Sequence, residues 1–297
     1  MCHRFEMLSG EEAGAVVDWL RAVRRALAEG RGAASVAPPV FGRPAAMPLE
    51  AIDCYPGRES PVIVAEGDGA NGDGALDGKD VLRAWGGGSD FATVSLVWGI
   101  EVPWKRGPVF NARIESALSG SGMWHEAMER GRCIVPVRAF YETRSREGAP
   151  GAGAAGEGAA ARARGVAGDP PELIRGAVAD IEQGILGLED ASAVGARPRG
   201  RRPQYRFAAA GGTALLLAGL RIGDRFALVT CEPDAVVGAV HHRMPLSLAA
   251  PEALAWLAAA DARPLLNRAP VSLTATEEPA PAKASKRPAD PDQMSLF

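Results

Sequence analysis

The first four residues, Met1-Cys2-His3-Arg4, hold the most reactive arrangement in the chain. Removal of Met1 would leave Cys2 with a free α-amine and, on the adjacent carbon, a thiol. An α-amine has a reference pKa of about 7.7 to 8.0, so part of it is neutral near pH 7 and able to attack an aldehyde. The thiol can then add to the resulting imine and close a five-membered thiazolidine, which turns a reversible Schiff base into a longer-lived adduct. A cysteine near the start of a chain is usually just a small buried residue. The chemistry therefore depends on partners supplied elsewhere.

Two candidates stand out. Glu142 directly follows Phe140 and Tyr141 in a strand-like run, where a partly buried carboxylate has a raised pKa and can pass protons near neutrality; a solvent-facing strand residue is the alternative. The chain has four histidines, and two of them, His241 and His242, are adjacent and followed by Arg243-Met244-Pro245. In a strand, neighbouring side chains point to opposite faces, so one of the two is expected to enter a site. A surface pair without a role is the alternative. Cys2, Cys54, Cys133 and Cys231 are scattered, with no C-x-x-C pair and no zinc-ligand spacing, so free thiols are expected and neither metal nor cofactor is called for.

The elements that must position these groups follow in order. Ser9-Gly10-Glu11-Glu12 has the form of a capping box, and Val16, Trp19, Leu20, Val23 and Leu27 recur at helical spacing until Gly30. A proline-rich connector leads through Cys54-Tyr55-Pro56-Gly57 to a short strand at Val62 to Ala65, and then to a Gly/Asp-rich loop from Glu66 to Gly78. Val94 to Ile100 reads as β-structure, Ser121 to Arg130 as a short helix, and Cys133 to Pro136 as a strand leading into Ala139-Phe140-Tyr141-Glu142. Tyr205 to Ala209 and Thr213 to Leu217 flank Gly211-Gly212, which is a hairpin signal; a strand at Arg225 to Thr230 and a helix at Pro251 to Ala260 close the domain.

Between Gly148 and Gly200 the composition turns to Ala, Gly and Arg, which reads as an insertion. Leu173, Ile174, Ala177, Val178, Ile181 and Ile185 could still form one helix inside it. The chain from Thr274 is rich in Pro, Ala, Lys and Glu, and is expected to be a disordered tail. With 297 residues, 47% hydrophobic composition, a net charge of −3 and no apolar run of membrane-spanning length, the expectation is a cytoplasmic globular protein. The overall charge gives no global attraction to nucleic acid, but leaves room for a local basic groove.

Taken together, the blocks resemble one family, the SOS response-associated peptidase (SRAP) or abasic-site processing proteins. The resemblance is carried in order by Met1-Cys2-x-Arg4-Phe5, Cys54-Tyr55-Pro56-Gly57, Trp98-Gly99 through Trp104, Asn111-Ala112-Arg113-x-Glu115, Arg132-Cys133-Ile134-Val135-Pro136 with Phe140-Tyr141-Glu142, and His241-x-Arg243-Met244-Pro245. It covers residues 1–270 apart from the 148–200 insertion.

The resemblance implies a single α+β domain with a bent, mainly antiparallel sheet or barrel, peripheral helices and a positive channel leading to the N-terminus. It also implies an abasic site in single-stranded DNA as substrate and a covalent thiazolidine crosslink through Cys2, with AP-lyase and crosslink-reversal activities. Asn111 would hold the amine and the opened sugar, Glu142 would shuttle protons, and His241 would orient and protonate the sugar oxygen, a task suited to a base of pKa near 6.5. Arg4, Arg113 and Arg243 match positions suited to phosphate contacts, and Trp98 and Trp104 are candidates for stacking on bases, with a core role as the equal alternative.

Two positions depart from the family's pattern: His3 replaces a usual glycine, and Thr143 stands where tryptophan is frequent. Gln293-Met294-Ser295-Leu296-Phe297 resembles the bacterial sliding-clamp peptide, with Met294 in place of leucine; Leu296 and Phe297 would fill an apolar pocket while the tail acts as a tether. A monomer is expected. The readings from other classes are a cysteine peptidase with Cys2 as N-terminal nucleophile, including self-processing, and a non-catalytic single-strand binder tethered to the clamp.

Overall fold

The structure, a computed structural model, describes residues 2–43, 52–66, 90–120, 122–144 and 203–278. The 148–200 insertion with its expected helix, most of the Gly/Asp-rich loop, and the clamp-like residues Gln293, Leu296 and Phe297 lie outside the described residues.

Helix α1, Gly10–Ala28, begins where the capping box puts it. The Ser9 hydroxyl accepts from the Glu12 N–H, and the Glu12 carboxylate accepts from the Ser9 N–H. Such a cap stabilises a helix by about 1 kcal/mol. The apolar stripe Val16, Val17, Leu20, Val23 and Ala26 is fully or nearly fully buried, and the helix stops at Gly30, whose φ of 74° lies in the left-handed region.

The core is a closed ring of five strands: β3 (Glu59–Ala65), β4 (Phe91–Trp98), β6 (Arg132–Thr143), β8 (Leu215–Ile222) and β9 (Arg225–Cys231). β8 pairs with β9, β9 with β4, β4 with β3, β3 with β6, and β6 closes the ring onto β8. All pairings in the ring are antiparallel except β4 with β9, so the α+β fold with a barrel core and outer helices is as expected.

Strand alternation sorts the side chains into two layers. Val62, Leu96, Trp98, Cys133, Val135, Leu215, Leu217, Phe226 and Leu228 pack together inside, while Ile63, Ile134, Leu216, Ala218, Leu220, Ala227 and Val229 pack with α1 and with α5 (Ala250–Leu257) outside. Gly219 is required by this interior: a Cβ there would stand 2.8 Å from the Cys133 sulfur. From α5, Trp256 reaches the ring and donates to the carbonyls of Cys133 (3.1 Å) and Gly219 (3.3 Å).

β6 is longer than its barrel segment. Beyond the ring it carries β1 (Phe5–Met7) on one edge and β7 (Gln204–Ala209) on the other. β2 (Asp53–Cys54) then pairs with β1. The hairpin expected around Gly211-Gly212 does not form: β7 and β8 both run antiparallel to β6, on successive stretches of it, and so run the same way as each other. The two glycines, with φ of 87° and 72°, instead loop the chain out between two segments of one interrupted strand. The tail boundary also moves. Thr274 to Glu278 belong to β12, Leu273–Glu278, paired along its length with β7.

The remaining elements deliver the site residues. β5 (Asn111–Arg113) lies parallel to β9 and continues into helix α2 (Ile114–Leu118). Helix α3 (His125–Arg130) precedes β6, and helix α4 (Ala235–Gly238), capped by Asp234, precedes the histidine pair. β10 (Met244–Pro245) and β11 (Ser247–Leu248) pair with β9 and β8. No helix among the described residues is long and apolar enough to cross a membrane.

Candidate functional site

Cys2 precedes β1 and is fully buried, its thiol 3.4 Å from the Arg4 carbonyl. The adjoining strand is fixed on β6 by pairing of Phe5 with Phe140 and by the Tyr141 N–H, which donates to the Arg4 carbonyl at 3.0 Å. From the start of β5, the Asn111 carboxamide donates to the Cys2 carbonyl at 2.9 Å. The other end of that carboxamide, Oδ1, is buried with no hydrogen-bond partner among the described residues. Leaving such an acceptor unpaired costs about 1–3 kcal/mol.

Glu142, on the same strand face as Phe140, is 1% exposed. Burial pushes its carboxyl up to about 7, against the opposing charge of the chain's amino terminus. Its Oε2 stands 3.8 Å from Nδ1 of His241. Burial drives His241 down to about 4, so at pH 7 the imidazole is neutral and the two do not form an ion pair. The expected base of pKa near 6.5 is therefore corrected: Glu142 is the group that titrates near neutrality. His241 Nδ1 lies 2.9 Å from the Arg243 carbonyl and 3.1 Å from the Arg243 N–H, so it can donate to one or accept from the other.

The histidine pair also departs from the strand expectation. It lies in the turn after α4, where the two rings stack at 4.4 Å and 26° instead of pointing apart, His241 buried and His242 exposed.

Burial, and after it the Glu142 charge, raises the Cys2 thiol far above its ordinary value, so the sulfur keeps its proton at neutral pH. Cys2, Asn111, Glu142 and His241 thus converge from four separate stretches of the chain.

The expected DNA-contacting residues divide. Trp104 is 66% exposed and Arg113 is exposed, as a strand-contacting role needs. Trp98 has no exposed surface: it fills the barrel against Phe5 (4.8 Å) and Phe110 (5.9 Å) and donates to the Phe110 carbonyl, so the core alternative describes it. Arg4 and Arg243 are buried and already engaged. Arg4 pairs with Asp53 at 2.8 Å, donates to Gln204 at 2.8 Å and lies over the Tyr141 ring. Arg243 makes a two-pronged pair with Glu115, at 2.9 and 2.8 Å, and donates to the Thr230 carbonyl. In this arrangement both guanidinium groups are paired with protein carboxylates.

Several residues that build the site gave no sequence signal. Glu6, without exposed surface, accepts from the Tyr141 hydroxyl at 2.6 Å and from Arg206 at 2.9 and 2.6 Å, and pairs with Arg43 at 3.1 Å. Gln204 links Arg4 to His3. These partners are scattered through the sequence, and only the register of β1, β6 and β7 brings them together. A cavity of about 400 Å³ borders the Arg243–Glu115 pair, with Cys231, Asp234, Met244 and Arg268 in its lining, and contains none of the four converging residues.

Cys2 thus lies with an amide, a neutral imidazole and a protonatable carboxyl around it. The model of the SRAP family, described as SOS response associated peptidase, matches residues 1–153, and the chain belongs to that family. Membership sets it in a DNA-damage context. Among solved structures, a phage-related protein from Bordetella bronchiseptica is 18% identical over 93% of this chain and 94% of its own, with a TM-score of 0.48. A second Bordetella bronchiseptica protein is 16% identical over 94% and 100%, also at 0.48, and one from Bacteroides thetaiotaomicron is 16% identical over 59% and 62%, at 0.35. At these identities and TM-scores none of them bears on activity. No curated protein matches the chain.

Proposed function

We propose that this protein captures abasic sites in single-stranded DNA as a covalent thiazolidine on Cys2, after removal of Met1. The observation that supports it most is the buried, unpaired Oδ1 of Asn111, on the carboxamide that already holds the Cys2 carbonyl. An acceptor there suits an N–H of the liberated amine. The neutral amine attacks C1′ of the ring-opened sugar, the carbinolamine loses its hydroxyl as water, and the imine carbon then takes the Cys2 sulfur while the thiol proton passes to nitrogen. A carboxyl with pKa of about 7 can give the proton that water departure needs and accept one afterwards, which fits Glu142. His241, neutral beside it, fits a hydrogen-bonding role to the sugar oxygen.

The peptidase alternative asks the sulfur to be the first nucleophile, as a thiolate. The upward shift of the thiol favours the amine instead. On this reading Trp104 and Arg113 meet the strand, the protein works as a cytoplasmic monomer, and Gln293, Leu296 and Phe297 attach it to the sliding clamp. A titration of the tail peptide that shows no clamp binding at tens of micromolar would remove the last point.

The test is incubation of the processed protein with abasic single-stranded DNA. A heat-stable shifted band should form, vanish for Cys2→Ala and survive for Cys133→Ala. Salt-sensitive binding that never becomes covalent would instead support the non-catalytic binder.

A further inference from the structure

The charges that hold β1 lie on the opposite face of the sheet from Glu142. Side chains alternate along a strand and directly paired residues share a face, so Tyr141 points away from Glu142 and shares its side with Arg206 and Gln204 of β7. There Arg4 pairs with Asp53 and donates to Gln204, each at 2.8 Å, while Glu6 accepts from Arg206 and from the Tyr141 hydroxyl, each at 2.6 Å. The tyrosine has one proton and spends it on Glu6, so its 3.3 Å contact with a second carboxylate, Glu278, carries no hydrogen of its own. Arg43 is what joins Glu278 to the group. Its Nη1 donates to Glu278 at 2.9 Å, and its Nη2 stands 3.1 Å from Glu6 and 3.3 Å from the Tyr141 oxygen. One guanidinium thus bridges a carboxylate of β1 and a carboxylate of β12, which without it would repel each other across the phenol.

Among the described residues the group balances, Arg4, Arg43 and Arg206 against Glu6, Asp53 and Glu278. Glu6 has no exposed surface, whereas the Glu278 side chain is 16% exposed and that of Arg43 36%, so the Arg43–Glu278 pair is the outer end of the cluster. β12 has little apolar anchorage. Four of its six residues are exposed and the other two half-buried, which leaves the ladder to β7 and the polar contacts of Glu277 and Glu278 to hold it. In turn β12 covers the outer edge of β7, the strand whose Gln204 and Arg206 grip Arg4 and Glu6. It therefore backs both grips on the segment that follows Cys2.

We infer that Glu278 is a positioning residue for Cys2: through Arg43 it ties β12 to Glu6 of β1, and so keeps the amino-terminal cysteine in the buried place where Asn111 holds its carbonyl. The consequence for chemistry rests on the proposed capture of abasic DNA; the hold on Cys2 does not.

The experiment compares Glu278→Arg, Arg43→Glu and the double reversal in the full, processed chain. Its first arm needs no DNA and follows alkylation by iodoacetamide, mapped by mass spectrometry, at Cys2 and at Cys133, both of which are without exposed surface. Each single reversal should speed labelling of Cys2 about three- to tenfold and leave Cys133 unchanged, and the double, which restores opposite charges, should return Cys2 to within about twofold of the unsubstituted chain. Equal speeding at both cysteines is general loosening and overturns the inference, as does an unchanged Cys2 or a double reversal no better than the singles. The second arm measures single-turnover capture at saturating abasic single-stranded DNA, so that affinity does not enter. Capture should slow about three- to tenfold in each single reversal and recover in the double; a rate indifferent to the reversals overturns the positioning role. If the unsubstituted chain forms no adduct while the labelling pattern holds, the capture reading fails and the hold on Cys2 stands.

Discussion

The carboxamide of Asn111 donates to the carbonyl of Cys2 at 2.9 Å across 109 positions of sequence. That bond ties the start of the chain to the strand that follows the barrel's exposed Trp104 loop, and it orients the one residue whose backbone nitrogen would become the nucleophile. Asn111→Ala should slow covalent capture of abasic DNA at least about tenfold, while lowering stability by only about 1 kcal/mol, because a neutral hydrogen bond contributes little more. Single-turnover rates of adduct formation beside a denaturant melt separate the two effects. A variant that captures at the normal rate would remove Asn111 from the mechanism.

Glu142 makes stability depend on pH in a defined direction. Its folded value of about 7 lies above its ordinary value near 4.5, so the folded state binds the proton more tightly than the unfolded chain. The stabilisation is complete below about pH 4.5 and is lost as pH rises through 7. His241 acts oppositely: depressed to about 4, it favours the fold above about pH 6.5, and that contribution is lost as pH falls toward 4. Glu142→Gln removes only the first effect. It should be more stable than the unsubstituted chain at pH 8, by as much as about 3 kcal/mol, and lose that advantage by pH 5. Melting temperatures at the two pH values check this.

The same carboxyl sets the pH dependence of capture. The rate should follow deprotonation of the amine on its rising side and fall as Glu142 gives up its proton, producing a maximum between about 7 and 8. In Glu142→Gln the falling limb should disappear along with most of the rate. A rate profile of unchanged shape in that variant would assign the limb to another group.

Glu6 tests what secures β1. Its carboxylate is wholly buried among Arg206, Arg43 and the Tyr141 hydroxyl. Removing Glu6 as Ala would leave Arg206 without its anion and Arg43 with Glu278 alone, at a cost of about 3–5 kcal/mol. Tyr141→Phe should cost only about 1 kcal/mol. Urea titration of the two variants distinguishes them.

The two tryptophans should behave differently. Trp98→Ala empties the barrel interior and should destabilise by about 3–5 kcal/mol. Trp104→Ala should leave the melting temperature unchanged yet weaken single-strand binding by about 1–3 kcal/mol, the worth of stacking on one base.

How much of this could be read in the sequence depended on how local the determinants were. The capping box at Ser9 and the stripe of α1 act within one helix, and the sequence expectation and the structure agree there. The barrel was expected from the family resemblance alone, because the pairings that close it, β6 with β3 and β8 and the parallel contact between β4 and β9, leave no short-range pattern. The Gly211-Gly212 signal was read as a reversal because glycine pairs permit one; both strands are drawn to β6 instead. The four residues expected at the site do converge, since a motif preserves residue type. The engagement of Arg4 by Asp53 and of Arg243 by Glu115 was hidden, because an arginine's partner is set by tertiary contacts, as is the burial that shifts His241 to about 4.

The most direct test is the intact mass of the protein after incubation with an abasic single-stranded oligonucleotide, followed by peptide mapping. The expected species weighs the chain without Met1 plus the oligonucleotide less one water, with the attachment at Cys2. An adduct that retains Met1, or one mapped to Cys54, Cys133 or Cys231, would contradict capture by the liberated amino-terminal cysteine.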